Sequence, residues 1–398
     1  MTSIHSVAGV RIGIASAGIK KVGRKDLVVF ELAEGSATVG VFTRNAFCAA
    51  PVIVAKENLA KTQPKYLLVN TGNANAGTGS PGIQAAQTTL TALAQLAGCS
   101  PEQILPFSTG VIGEPLPVAK IEAALPAALS DLQVDHWALA AEGIMTTDTR
   151  PKVASRKVDF AGQSFVITGI TKGAGMIRPN MATMLSYVAT DLAIDTPLLQ
   201  KALVRAVDQS YHRITVDGDT STNDACTLTA TGQSALPRIE SDNELYQVFC
   251  DALDDLLLEL AQMMVRDGEG ATKFFQIEVN GGKTEQECLD VAFTIAESPL
   301  VKTALFASDP NWGRLLAAIG RAGLQDLIID DVTLHLNDVL IAEQGRRADS
   351  YTEEQGVAAM APSDIVLRVG LNRGPAQTTV YTTDFSYDYV RINAEYRT

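Results

Sequence analysis

The chain has 398 residues, enough for two to three domains at roughly 150 residues each, and its 46% apolar and 19% charged content marks a globular chain. Thirty-two Lys and Arg against 45 Asp and Glu give a net charge of −13, which argues against non-specific nucleic-acid binding and against anionic membrane surfaces. No stretch approaches the roughly 18 uncharged apolar residues of a membrane span, and the N-terminus lacks the basic start and long apolar run of a signal peptide, so a cytoplasmic protein is expected.

In chain order, 26–32 and 39–43 read as strands rich in β-branched and aromatic residues. Residues 66–70 read as a short buried strand, followed by a helix over 83–96 with Gly98 as its C-cap. Helices are predicted at 117–131 and 136–145, and a hairpin over 152–170 about Ala161-Gly162. A strand at 183–191, a helix near 197–210, a polar loop at 216–224 and a strand at 226–232 follow. Residues 243–266 form one long helix and 274–282 a strand. The remainder predicts a helix over 312–323, a hairpin from VTLHL and VLIAEQG, and strands DIVLRVGL and TTVYTTDF. The class is α+β and layered, with no Pro/Ser-rich linker, so intimately packed segments are expected.

The residues offer little metal or redox chemistry. Five widely spaced cysteines predict no disulfide framework, and four histidines without CxxC, HxxH or HExxH predict no metal site. Gly77-Thr-Gly79-Ser-Pro-Gly82 matches GxGxxG, the pattern that lets a backbone approach a pyrophosphate. However, six residues separate it from the strand, and no acidic strand end follows about 20 residues on. A polar loop with left-handed Asn and Gly residues is the simpler reading; a nucleotide-binding protein is the rival.

A second glycine cluster, KGAGMIRPNMATML at 172–185, is neither GxGxxG nor a Walker loop. By its pattern alone it is a turn entering a core strand, with Thr183 either filling a β position or exposing its hydroxyl. Its residues resemble the self-cleavage motif of the ornithine acetyltransferase (glutamate N-acetyltransferase) family of arginine biosynthesis. PFSTGVIGEPLP, MTTDTRPK, VDGDTSTND, VRDGEGATK, SDPNWGRLLAAIG and the terminal RINAEYRT also resemble family segments, in order and across nearly the whole chain.

The resemblance implies cleavage between Ala182 and Thr183, giving an alpha chain 1–182 and a beta chain 183–398 packed as one functional unit. It implies an αββα sandwich like that of N-terminal nucleophile enzymes, with its own topology and a smaller C-terminal α/β region. It implies a heterotetramer of two alpha and two beta chains. Thr183 is then the nucleophile, with Thr109 and Gly110 as the oxyanion hole. Thr146, Lys172, Thr183, Glu269, Asn393 and Thr398 bind substrate. The implied reaction is ping-pong: acetyl passes from N-acetylornithine to Thr183 and then to glutamate, with no cofactor. Acetyl-CoA as a second donor is left open by the sequence. The same Thr would also serve an N-terminal nucleophile aminopeptidase or amidase, with water as acceptor.

The chemistry is self-consistent. A Thr hydroxyl needs an adjacent base, and no histidine neighbours Thr183 in sequence. Cleavage frees an α-amine with an ordinary pKa of about 7.7–8.0, able to take the hydroxyl proton directly or through a water.

Overall fold

The computed structural model describes residues 3–178 and 184–396. The chain divides into two compact units, residues 1–212 with 219–264, and residues 213–218 with 265–398.

The first unit holds two sheets. One runs β1 (Val10–Ala15), β2 (Leu27–Leu32), β4 (Tyr66–Asn73), β5 (Ile104–Val111), where β3 (Ala37–Phe42) intervenes in sequence but joins the other sheet. The second runs β3, β9 (Ala225–Ala230), β8 (Leu185–Thr190), β7 (Gln163–Lys172), β6 (Lys152–Phe160). Strand alternation explains the layering. Val28, Phe30, Leu67, Val69, Leu105 and Phe107 meet Ile170, Leu185, Tyr187 and Ala189 of the second sheet in one core. The alternate residues Leu27, Val29, Tyr66, Leu68 and Ile104 pack under helices α2 (Gly79–Ala97) and α3 (Val118–Ser130). Because both faces are covered, these strands read as continuous apolar runs rather than as alternation.

Helices α5 (Thr196–Gln209) and α6 (Glu244–Arg266) pack on the second sheet: α5 touches β3, and Phe165 of β7 lies 6.5 Å from Phe249 of α6. The layers are therefore αββα. Helix α4 (Trp137–Gly143) and part of α1 (Ala50–Lys61) plug the inter-sheet core with Trp137, Ala140, Ala141 and Ala55. Tyr187 joins the layers, its ring centroid 5.1 Å from Phe30 and 5.2 Å from Phe107.

The second unit is one mixed sheet in the order β13 (Arg346–Arg347), β12 (Val339–Glu343), β11 (Thr333–Leu336), β14 (Asp364–Gly370), β10 (Phe274–Gly282), β15 (Ala376–Thr383). Its core joins Phe275, Ile277, Leu334, Ile365 and Leu367 to α7 (Glu285–Ala296), α8 (Pro299–Phe306), α9 (Trp312–Gly320) and α10 (Glu353–Met360). Helix α11 (Tyr387–Ala394) follows β15.

The expected hairpin at 152–170 is present, turning through Ala161 and Gly162 at positive φ. Gly98 caps α2 with φ 68°. The fingerprint-like glycines have a packing role. Gly79 to Gly82 form the first turn of α2, and a Cβ on Gly82 would lie 1.9 Å from the Thr78 hydroxyl. All five cysteines are free thiols. Among the described residues no helix is long and apolar enough to cross a membrane.

Candidate active site

Residues 108–110, which by their own pattern read as a turn ending a strand, are instead part of β5. They pair in parallel with Asn70, Thr71 and Gly72 of β4. The strand survives there because residue 110 is glycine. Its φ is 135°, and a Cβ would fall 2.2 Å from the Gly72 carbonyl carbon and 2.5 Å from the Asn73 nitrogen. Just beyond this close approach the β4–β5 register shifts, at Gly72 and Asn73.

Lys172 is the last residue of β7, and its Nζ donates to Thr109 Oγ1 at 3.1 Å. A hydroxyl that accepts from an ammonium keeps its own hydrogen for another acceptor. Thr109 is thus set up as a donor rather than as a base.

Asp148 organises the neighbourhood. Its side chain is fully buried and takes a salt bridge from Lys152 at 2.6 Å, the Gly173 N–H at 2.7 Å and the Thr146 N–H at 2.9 Å. Burial alone would raise this carboxyl; the charges of Lys172 and Lys152 and the hydrogen bonds outweigh it and hold the pKa at about 2. Thr146 and the start of the glycine turn after Lys172 therefore hang on one carboxylate.

Two further residues face this region. Asn223 donates through Nδ2 to the carbonyls of Ala74 at 2.6 Å and Ser108 at 2.9 Å, fastening the loop before β9 to β5. Asp224 is fully buried with one oxygen unpartnered. Burial pushes its carboxyl well above the usual range, offset only in part by a Ser221 hydrogen bond and the Lys172 charge. Sequence reasoning missed Asp148, Asn223 and Asp224 as individual residues. Their only signal was membership of MTTDTRPK and VDGDTSTND.

In the second unit, Asn393 Nδ2 donates to Glu269 Oε2 at 2.7 Å, so two expected binding residues meet there. Glu269 is buried, not a solvated loop charge. The bend follows from Gly270, at φ 69°, where a Cβ would lie 2.6 Å from both Ser386 Oγ and the Tyr389 nitrogen. Thr109, Gly110, Thr146 and Lys172 belong to the first unit, and Glu269 and Asn393 to the second. The Ala182–Thr183 junction and Thr398 lie outside the described residues.

An αββα scaffold with a Thr hydroxyl and a glycine at the end of a strand, and an ammonium 3.1 Å from that hydroxyl, suits the acyl chemistry shared by acyltransferases and amidases. The comparisons with known proteins agree. The ArgJ family model matches residues 11–398. The arginine biosynthesis bifunctional protein ArgJ of Pseudomonas syringae pv. tomato is 59% identical over 399 residues, covering 100% of this chain and 98% of that protein. Its namesake in Methylococcus capsulatus is 56% identical over 392 residues, covering 98% and 96%. The crystal structure of ArgJ from Bacillus halodurans superposes with a TM-score of 0.51 at 37% identity, covering 53% of this chain and 99% of that one. The chain belongs to the ArgJ family. It is an acetyltransferase of the ornithine acetyltransferase (glutamate N-acetyltransferase) type, acting in arginine biosynthesis.

Proposed function

We propose that the enzyme moves acetyl from N-acetylornithine to glutamate through an acetyl-Thr183 intermediate, after cutting itself between Ala182 and Thr183. The observation that carries this reading is the Lys172–Thr109 hydrogen bond beside Gly110. It supplies two donors, the Thr109 hydroxyl and the Gly110 N–H, of the kind that stabilise a tetrahedral oxyanion, each worth roughly 3–4 kcal/mol in acyl transfer.

In the proposed cycle the Thr183 α-amine takes the hydroxyl proton as Oγ1 attacks the acetyl carbonyl. The collapsing intermediate expels ornithine, whose nitrogen receives that proton. The amine of glutamate then attacks the ester and Thr183 is regenerated. Lys172 receives the α-carboxylate common to both amino acids, and Glu269 the side-chain ammonium of ornithine. Thr146, Asn393 and Thr398 complete the set. No metal or cofactor takes part in these steps. Acetyl-CoA is proposed as a second acetyl donor, in keeping with the relatives named bifunctional. The proposed setting is the cytoplasm and the proposed assembly two alpha and two beta chains, with small molecules as the only substrates.

The test is denaturing intact mass and N-acetylornithine turnover on one sample. Two masses, 1–182 and 183–398, with glutamate-dependent acetyl transfer, are expected. A single full-length mass in fully active protein would overturn the cleavage. Acetyl release to water at the same rate with and without glutamate would make the enzyme an amidase.

A further inference from the structure

The described part of the second unit contains a buried polar network that the acetyl-transfer steps do not use, and it ends on Glu269. Asp384, the first residue after β15, is fully buried. Its carboxylate accepts from the backbone nitrogens of Thr272 at 2.8 Å and Lys273 at 2.9 Å, and from the hydroxyls of Thr272 at 2.5 Å and Thr383 at 3.1 Å. The single Thr383 hydroxyl hydrogen is shared between that carboxylate and the Lys273 carbonyl, which is nearer at 2.7 Å. Two residues on, Ser386 Oγ donates to the Gly270 carbonyl at 2.6 Å and accepts from the Asp388 N–H at 3.2 Å, capping α11. The loop is thus held immediately after Glu269, at Gly270, Thr272 and Lys273, and α11 brings Asn393 to the Glu269 carboxylate.

Beneath the strand end lies Lys302 of α8, also buried. It donates to Thr382 Oγ1 at 2.8 Å and to the Thr383 carbonyl, with its ammonium 4.7 Å from the centre of the Phe385 ring. Burial pulls the Lys302 amine down to about 7, against the opposing charges of Asp217, Asp384 and Glu297, and in either protonation state its N–H groups can donate to the strand end. Lys302 therefore anchors the stretch 382–385 from which Asp384 reaches the loop. A carboxylate held by several donors is a rigid joint, because moving it breaks all of those hydrogen bonds together.

We propose that Asp384, anchored through Lys302, is the positioning residue of the Glu269–Asn393 pair and so sets the enzyme's preference for an acetyl donor with a side-chain ammonium. This rests on Glu269 receiving that ammonium, as proposed above. Asp384 itself touches no substrate; it fixes where the Glu269 charge stands.

The test compares two acetyl donors on the matured enzyme: N-acetylornithine, and p-nitrophenyl acetate, which has no side-chain charge. Asp384→Asn is expected to raise KM for N-acetylornithine about tenfold while kcat changes far less, as a displaced charge contact worth one decade would do. Its kcat/KM for the ester should fall at least fivefold less. Ser386→Ala, which leaves Asp384 in place, should move the same ratio in the same direction by roughly threefold, so the proposal does not depend on one variant folding. Adding Asp384→Asn to Glu269→Gln should raise KM for N-acetylornithine no further. Equal losses with both donors, additive effects in the double variant, or unchanged KM in both single variants would overturn the proposal. Failure of the unmodified enzyme to release ornithine would overturn the donor assignment instead.

Discussion

At residue 110 the backbone leaves no choice of side chain. The left-handed φ and the 2.2 Å gap to the Gly72 carbonyl carbon together exclude a Cβ, so alanine must push β4 and β5 apart where the proposed oxyanion donors sit. Gly110→Ala is expected to lower kcat by roughly 10²–10³-fold and stability by about 1–3 kcal/mol. Steady-state rates and thermal unfolding check both; near-normal values would remove Gly110 from the site. Asp148 makes a different prediction. Its folded pKa of about 2 lies below the ordinary 3.8, so its contribution is present above pH 4 and lost as pH falls through about 2. Asp148→Asn removes the carboxylate that pairs with buried Lys152 and should cost about 3 kcal/mol at neutral pH. Acid unfolding of that variant should show a flatter dependence between pH 4 and 2, which equilibrium denaturation at several pH values measures. Thr109 and Gly110 were singled out only because they stand in a contiguous segment that resembles the family's; by its own pattern that segment reads as a turn. Asp148 was not singled out, because two of its partners are backbone N–H groups that no side-chain pattern records. Asn223 likewise binds carbonyls more than a hundred positions away.

Among the elements, β8 is the telling one. It lies inside its sheet, antiparallel to β7 and parallel to β9. Strands β3, β6 and β7 come from before the proposed junction, and β8 and β9 from after it. The order β3-β9-β8-β7-β6 therefore interleaves the two proposed chains through two ladders, β3 with β9 and β7 with β8. Cleavage at Ala182–Thr183 should not release either piece. Native size-exclusion of the cut enzyme should show no free 1–182 chain, although denaturing electrophoresis separates the two. The central strands and the long helix α6 were readable from β-branched runs and apolar periodicity. Strands β1, β5 and β13 and helices α1, α7, α8, α10 and α11 were not read. Helix α1 carries Val52, Ile53 and Val54, a β-branched run that imitates a strand, and tertiary packing decides its state. Helix α11 buries no residue and so shows no apolar stripe to follow.

For the whole molecule, the compact units do not follow the proposed cleavage site. The first unit draws on residues 1–212 and 219–264, and helix α6 continues across the 264–265 division without a linker, which is why composition gave no boundary. The proposed alpha chain alone lacks β8 and β9, so Phe30 and Phe107 would lose Tyr187, and both Ile170 and the inner face of the first sheet would face water. Expressed by itself, 1–182 is expected to be insoluble or to bind a hydrophobic dye such as ANS, as chains with exposed apolar cores do. A soluble, cooperatively unfolding 1–182 would show that the interleaving is dispensable.

The interleaved sheet also bears on how such an enzyme is manufactured. Two strands of one product must be threaded between strands of the other, a task easily done by one continuous polypeptide and poorly done by two separate translation products meeting in a crowded cell. On the proposed maturation, severing comes last and is performed by the finished architecture itself. A molecule that misassembles never exposes its reactive terminus. Correct shape would then license reactivity, and every active molecule would contain its two pieces in equal number without any control over gene dosage.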